Sequence, residues 1–97
     1  MVHHLKTINP FFKLLKYEKK LFEVRKFDRP YKVNDVLMLQ EFDEQTGEYS
    51  GDKVERVVDY VLLWTDFPDG IQPGYCVISL RPPQPAGFRT LRSLFLR

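Results

Sequence analysis

The run Val54-Glu55-Arg56-Val57-Val58-Asp59-Tyr60-Val61-Leu62-Leu63 constrains the fold more than any other stretch of the chain. Its apolar positions 54, 57, 58, 61 and 62 trace a helical stripe. Four of those five positions are valines, however, and β-branched side chains suit a pleated, half-buried surface better than a helix. The run also follows Asp43-Glu44-Gln45-Thr46-Gly47, which reads as a hairpin loop with Gly47 at a left-handed position. The stretch is therefore predicted to be a strand. It returns from a partner at Val36–Phe42, starts near Glu48 and runs far.

The remaining segments extend this pattern. Val2–Thr7 and Leu21–Lys26 read as short strands, and Tyr75–Leu80 as a closing one. Asn9-Pro10 marks a helix start, with Asn9 as N-cap and Pro10 at the first helical position. Phe11, Phe12 and Leu15 are expected on the docking side of that helix, with Lys13 and Lys16 turned away. Phe27–Tyr31 and Asp66–Gly74 read as loops, and Val33-Asn34-Asp35 as a tight turn. The fold class predicted is mainly β, of α+β type. It is a small curved sheet or barrel of five to six strands, with one early helix covering the opening. Residues 1–81 form one domain on this reading, and three prolines between Pro82 and Pro85 end it. Residues 82–97 are a Pro-rich linker and a basic tail, in which Phe88–Arg97 is weakly amphipathic and suited to a protein partner.

Ninety-seven residues suit a single core. No apolar run approaches the ~20 residues that span a bilayer, and the first six residues lack a signal-peptide core, so a cytoplasmic setting is expected, with no membrane partner. Cys76 stands alone, which excludes an internal disulfide and any multi-cysteine zinc site; no metal and no cofactor are expected. The acidic residues around the hairpin lack the spacing of a calcium loop. Charge is unevenly spread. Residues 1–33 hold nine Lys/Arg against three acids, a net of +6, whereas residues 34–80 hold two against ten, a net of −8. Residues 81–97 add four arginines and no acid. Such a chain either pairs its basic third with its acidic middle or leaves one positive face for a phosphate backbone.

Chemistry concentrates in Lys20-Leu21-Phe22-Glu23-Val24-Arg25-Lys26. In a strand, Phe22 and Val24 share one face and Glu23 and Arg25 the other. A carboxylate and a guanidinium then lie side by side. Arg25 suits bidentate recognition of phosphate or a base edge, and Glu23 is suited to accept from an exocyclic amine. Strict alternation sends Lys20 with Phe22, so it joins the pair only if the turn before the strand rotates it. His3 and His4 point to opposite faces and cannot share a metal. Tyr31, Trp64 and Tyr75 are candidate stacking surfaces for bases.

These residues, with their flanks, carry a resemblance. Lys19-Lys20-x-Phe22-Glu23-Val24-Arg25-Lys26-x-Asp28-Arg29 is similar to the ASCH-domain family of the PUA-like superfamily. More closely, it resembles a bacterial and phage branch known mainly as a domain of unknown function. The similarity continues through Tyr31-Lys32-Val33-x-Asp35-x-Leu37-x-Leu39-x-Glu41, Thr46-Gly47-Glu48-Tyr49-x-Gly51, Val58-x-Tyr60-Val61-Leu62 and Gly74-Tyr75-x-Val77-Ile78, covering roughly residues 3–80. Of the family pattern Gly-x-Lys-x-x-Glu-x-Arg, Lys20, Glu23 and Arg25 match. Glu18 stands where the glycine is expected, Asn34 replaces the glycine common before Asp35, and Leu21 stands where this branch often has threonine.

The resemblance implies a PUA-like β-barrel with a cleft between barrel and helix. The function it implies is binding of RNA or a nucleotide, with Lys6, Lys20, Glu23, Arg25, Arg29 and Tyr75 as the ligand-binding residues. It also opens an enzymatic alternative, since some relatives resemble small amidohydrolases acting on N4-acylated cytidines. In that reading Lys20 is nucleophile or base, and Glu23 or Glu41 relays a proton. Against it, Glu23 occupies the position beside the lysine where those hydrolases have a threonine-type residue.

Overall fold

The computed structural model describes residues 1–83. Five strands and one short helix follow in the order β1 (Val2–Thr7), α1 (Phe11–Lys16), β2 (Phe22–Lys26), β3 (Val36–Asp43), β4 (Glu48–Leu63) and β5 (Tyr75–Arg81). They form one sheet in the order β1-β3-β4-β5-β2, parallel between β1 and β3 and antiparallel elsewhere. The sheet curls into a half-barrel whose edges are β1 and β2. Among the described residues no ladder joins those two edges, so of the curved sheet or barrel expected from the sequence the structure shows the curved sheet, a half-barrel with a seam. The proposed tail Phe88–Arg97 lies outside the described residues.

The valine-rich run is strand throughout, and one bulge explains its helix-like spacing. Val58 pairs with Leu80 and Tyr60 with Ser79, which leaves Asp59 as an extra residue. Before it, Val54, Arg56 and Val58 are buried; beyond it, the phase changes, and Val61 and Leu63 pack against the core. A two-residue alternation broken once looks, in sequence, like a three-to-four-residue repeat.

The concave face holds the core: Leu5, Leu37, Leu39, Val58, Cys76, Ile78 and Leu80, joined by Tyr31 and by Leu15 of the helix. Burying Leu15 and the fully covered Phe12 is what keeps a six-residue helix formed, since so short a helix is marginal alone. Phe11, expected to dock beside them, is instead 46% exposed. The helix begins one residue later than predicted, with Pro10 flanking it, and Asn9 Oδ1 accepts from the Lys13 N–H. Arg56 anchors the other end of the helix: it is buried and donates to the Leu15 carbonyl at 2.9 Å and to Glu55 O at 2.8 Å. Its Nε has no partner among the described residues.

Two turns place a non-glycine residue in left-handed backbone. Glu18 has φ +60° and Asn34 φ +75°, both left-handed. At Glu18 the chain leaves the helix: the N–H groups of Lys19 and Lys20 both reach the Leu14 carbonyl, at 2.8 and 3.0 Å. Among the described residues no helix is long and apolar enough to cross a membrane.

Candidate functional site

β2 is built inside out relative to its neighbours. Its charged Glu23 is buried, whereas Phe22 and Val24 are 47% and 56% exposed. The inversion follows from pairing. Glu23 lies opposite Ile78 and Arg25 opposite Cys76, both buried on β5, so alternation turns these two charged residues to the concave side.

The turn through Glu18 delivers Lys20 to the same place. Its ammonium donates to Phe22 O at 2.7 Å and to Glu23 Oε1. Arg25 Nε donates to Glu23 Oε2 at 2.7 Å. Arg25 Nη2 then crosses the seam to the Lys6 carbonyl at 3.1 Å and the Thr7 hydroxyl at 3.2 Å. Glu23 is thus clamped between two cations, its side chain only 5% exposed. Both of its oxygens face protein donors, which differs from the expectation of a carboxylate waiting for an exocyclic amine.

Around this charged floor opens a cleft of about 550 Å³, on the seam between β1 and β2. Lys20 Nζ lies 5.8 and 4.9 Å from the ring centroids of Phe11 and Phe22, which both line the cleft. Ile8 and Val24 complete the apolar wall.

The structure therefore brings Lys20, Glu23 and Arg25 together, with Lys6 at the rim. Lys6 contributes its carbonyl, while its ammonium sits 4.1 Å over the Phe42 ring. The other candidates lie elsewhere. Arg29 is in a loop beside Asp28 and 6.0 Å from the Tyr31 ring. Tyr75 pairs with Lys26 and alternates with Cys76 and Ile78, so it belongs to the opposite, convex face. Tyr31 is buried against His3, their ring centroids 4.8 Å apart, and Trp64 joins that aromatic group through Phe27.

Glu41 is also apart. It lines a second depression of about 450 Å³ with Asn9, Asp43 and Ser50. Hydrogen bonds from the Ser50 hydroxyl and the Asn9 amide, each 2.6 Å, hold its carboxyl below the usual carboxylate range. Cys76, next to Arg25 in register, is buried, and that burial pushes its thiol up, which suits a core residue rather than a nucleophile.

Phe11 and Phe22 were not legible as walls, because a phenylalanine in an amphipathic pattern reads as core. The buried pair His3–Asp35 was equally hidden. His3 Nε2 donates to Asp35 Oδ2 at 2.8 Å, and Asp35 also receives the Lys32 N–H at 3.0 Å and the Met1 amino group at 3.1 Å. As expected, His4 points the other way and is exposed.

A curled five-stranded sheet with a charged, aromatic-walled cleft at its seam defines a small module with a ligand-sized opening. The chain belongs to the family described as Domain of unknown function (DUF3850), which matches residues 2–80. Comparison with curated proteins gave no match.

Proposed function

We propose that this protein binds RNA or a nucleotide in the seam cleft, as an ASCH-type member of the PUA-like superfamily. One observation carries the reading: Lys20, Glu23 and Arg25 converge at the seam, in a cleft that the half-exposed Phe11 and Phe22 also line. Neutralised once by Glu23, the two cations leave the floor with a net positive charge suited to phosphate or an electron-rich base edge. The rings supply the flat apolar surface on which a base stacks.

Hydrolysis of an acylated cytidine draws less support. A nucleophilic amine needs its lone pair aimed at the substrate, whereas Lys20 donates to Phe22 O and to Glu23. Glu41, the second proton relay of that reading, is held by Asn9 and Ser50 in the neighbouring depression.

Fluorescence anisotropy with single-stranded and hairpin RNA over a salt series tests the proposal. Affinity is expected to fall steeply as salt rises and to drop about tenfold or more in Lys20→Ala. Affinity that is absent, or indifferent to salt, overturns it.

A further inference from the structure

We infer that the seam cleft reads guanine through its O6 and N7 atoms, an inference that rests on the nucleotide reading above and narrows it. Its basis is an account of which polar groups remain unspent at the floor.

The side-chain acceptors are used. Glu23 Oε1 takes Lys20 and Oε2 takes Arg25, and burial leaves the carboxylate almost no open surface. The Thr7 hydroxyl accepts from Arg25 and gives its own proton to Leu5 O at 3.3 Å. The carbonyls of Lys6 and Phe22 each already receive one N–H, from Arg25 and Lys20 respectively.

The donors are not exhausted. An ammonium has three N–H groups and a guanidinium five. Lys20 spends two of its own, which leaves one. Arg25 spends those of Nε and Nη2, and among the described residues Nη1 has no partner. Ladder alternation turns the backbone of Val24 to the seam, adding one donor and one acceptor, so the balance does not change. The cleft therefore offers cationic N–H groups on two side chains and no free side-chain carboxylate.

A ligand matched to such a floor presents adjacent acceptors and no amine on the edge that meets it. A bare phosphate would satisfy the donors but leave Phe11 and Phe22 idle. A base uses both, and O6 with N7 of guanine is the base edge to which Arg and Lys bind most often. Adenine places an amine at the same point and meets cations with a donor. The 2-amino group of guanine, on the far edge, has no role in this arrangement.

Titration calorimetry with guanosine, inosine, 7-deazaguanosine, adenosine and ribose 5-phosphate separates the outcomes. Inosine keeps O6 and N7 but lacks the 2-amino group, so it is expected to bind as guanosine does. 7-Deazaguanosine and adenosine are each expected to bind about tenfold more weakly, the scale of one hydrogen bond to a charged group. Phe11→Ala, at a half-exposed position, is expected to weaken all nucleosides alike and leave their ratios unchanged. Guanosine binding well ahead of inosine means that the 2-amino group is read, which overturns the inference and leaves nucleotide binding intact. Equal binding of adenosine and guanosine does the same. Ribose 5-phosphate binding as well as or better than guanosine reduces the site to a phosphate site and also overturns it. If RNA fails to bind along with every nucleoside, the nucleotide reading falls too.

Discussion

Arg25 Nη2 lies 3.2 Å from the hydroxyl of Thr7, and with its bond to the Lys6 carbonyl it joins two sheet edges that no backbone ladder joins among the described residues. The same guanidinium holds Glu23, so one side chain serves both the seam and the floor of the cleft.

Glu23→Ala is expected to lower stability by about 2–4 kcal/mol, because it leaves two partly buried cations without their shared carboxylate. Glu23→Gln keeps the shape and one acceptor and is expected to lose less. Urea unfolding of the two variants checks the order; an alanine variant as stable as the parent contradicts the clamp.

Glu18→Gly is expected to stabilise the fold by roughly 0.5–1 kcal/mol. At φ +60° a glutamate bears a steric cost that glycine lacks, partly offset by glycine's greater freedom in the unfolded chain. Thermal unfolding should show a midpoint raised by a few degrees. A lowered midpoint would mean that the Glu18 side chain contributes more than its backbone costs.

Arg56→Ala should destabilise by about 2–3 kcal/mol, since it opens a cavity and strips a donor from the Leu15 and Glu55 carbonyls. Hydrogen exchange localises the effect. Amides of Phe12–Lys16 are expected to lose protection ahead of those in β3. Uniform loss across the sheet would argue that Arg56 supports the core rather than the helix.

Asp35 gives the fold an acid-sensitive element. Burial opposes its ionised form, but hydrogen bonds from His3, the Met1 amino group and the Lys32 N–H outweigh it and hold the carboxyl below the ordinary value of 3.8. A carboxyl lowered by folding stabilises above its unfolded value, and that contribution disappears as pH falls through the folded one. Asp35→Asn should therefore be less stable than the parent at neutral pH, with the gap narrowing below about pH 4. A gap constant between pH 7 and pH 3 would falsify this role.

Deleting Asp59 should be tolerated. The bulge residue is extra in the ladder, and its removal leaves Val58, Tyr60 and Val61 on their present faces. The loss is limited to a partly exposed contact with Arg81 at 3.5 Å, worth at most about 1 kcal/mol. Deleting Val57 instead shifts the parity of Val54 and Arg56 and is expected to prevent folding.

How much of this could be read from the chain depends on the reach of each interaction. The strands and the hairpin at Gly47 arise from neighbouring residues, and local pattern announces them. So does the placing of Glu23 and Arg25 on one face. Which face turns inward is another matter. It depends on β5, more than 50 residues away in the chain, whose Cys76 and Ile78 set the concave side for β2. Hydrophobic-in logic would have buried Phe22 and Val24. The entry of Lys20 needed the left-handed turn at Glu18, which a glutamate conceals and a glycine would have advertised. Arg29 and Tyr75 share the character of binding residues but not the location, and the partners of Arg56 and His3 lie 41 and 32 residues off.

A sheet closed by a ladder has its girth set by strand count and stagger; widening it means breaking backbone pairs one after another. Here the circumference is completed by a rotatable side chain. The gap can breathe by the swing of one arginine, and a guest either competes for the bonds that keep the two edges at their distance or uses the N–H groups those bonds leave free. Occupancy and aperture are then a single variable. A guest that takes Arg25 from Thr7 loosens the ring it has entered, and one that leaves Arg25 in place tightens it.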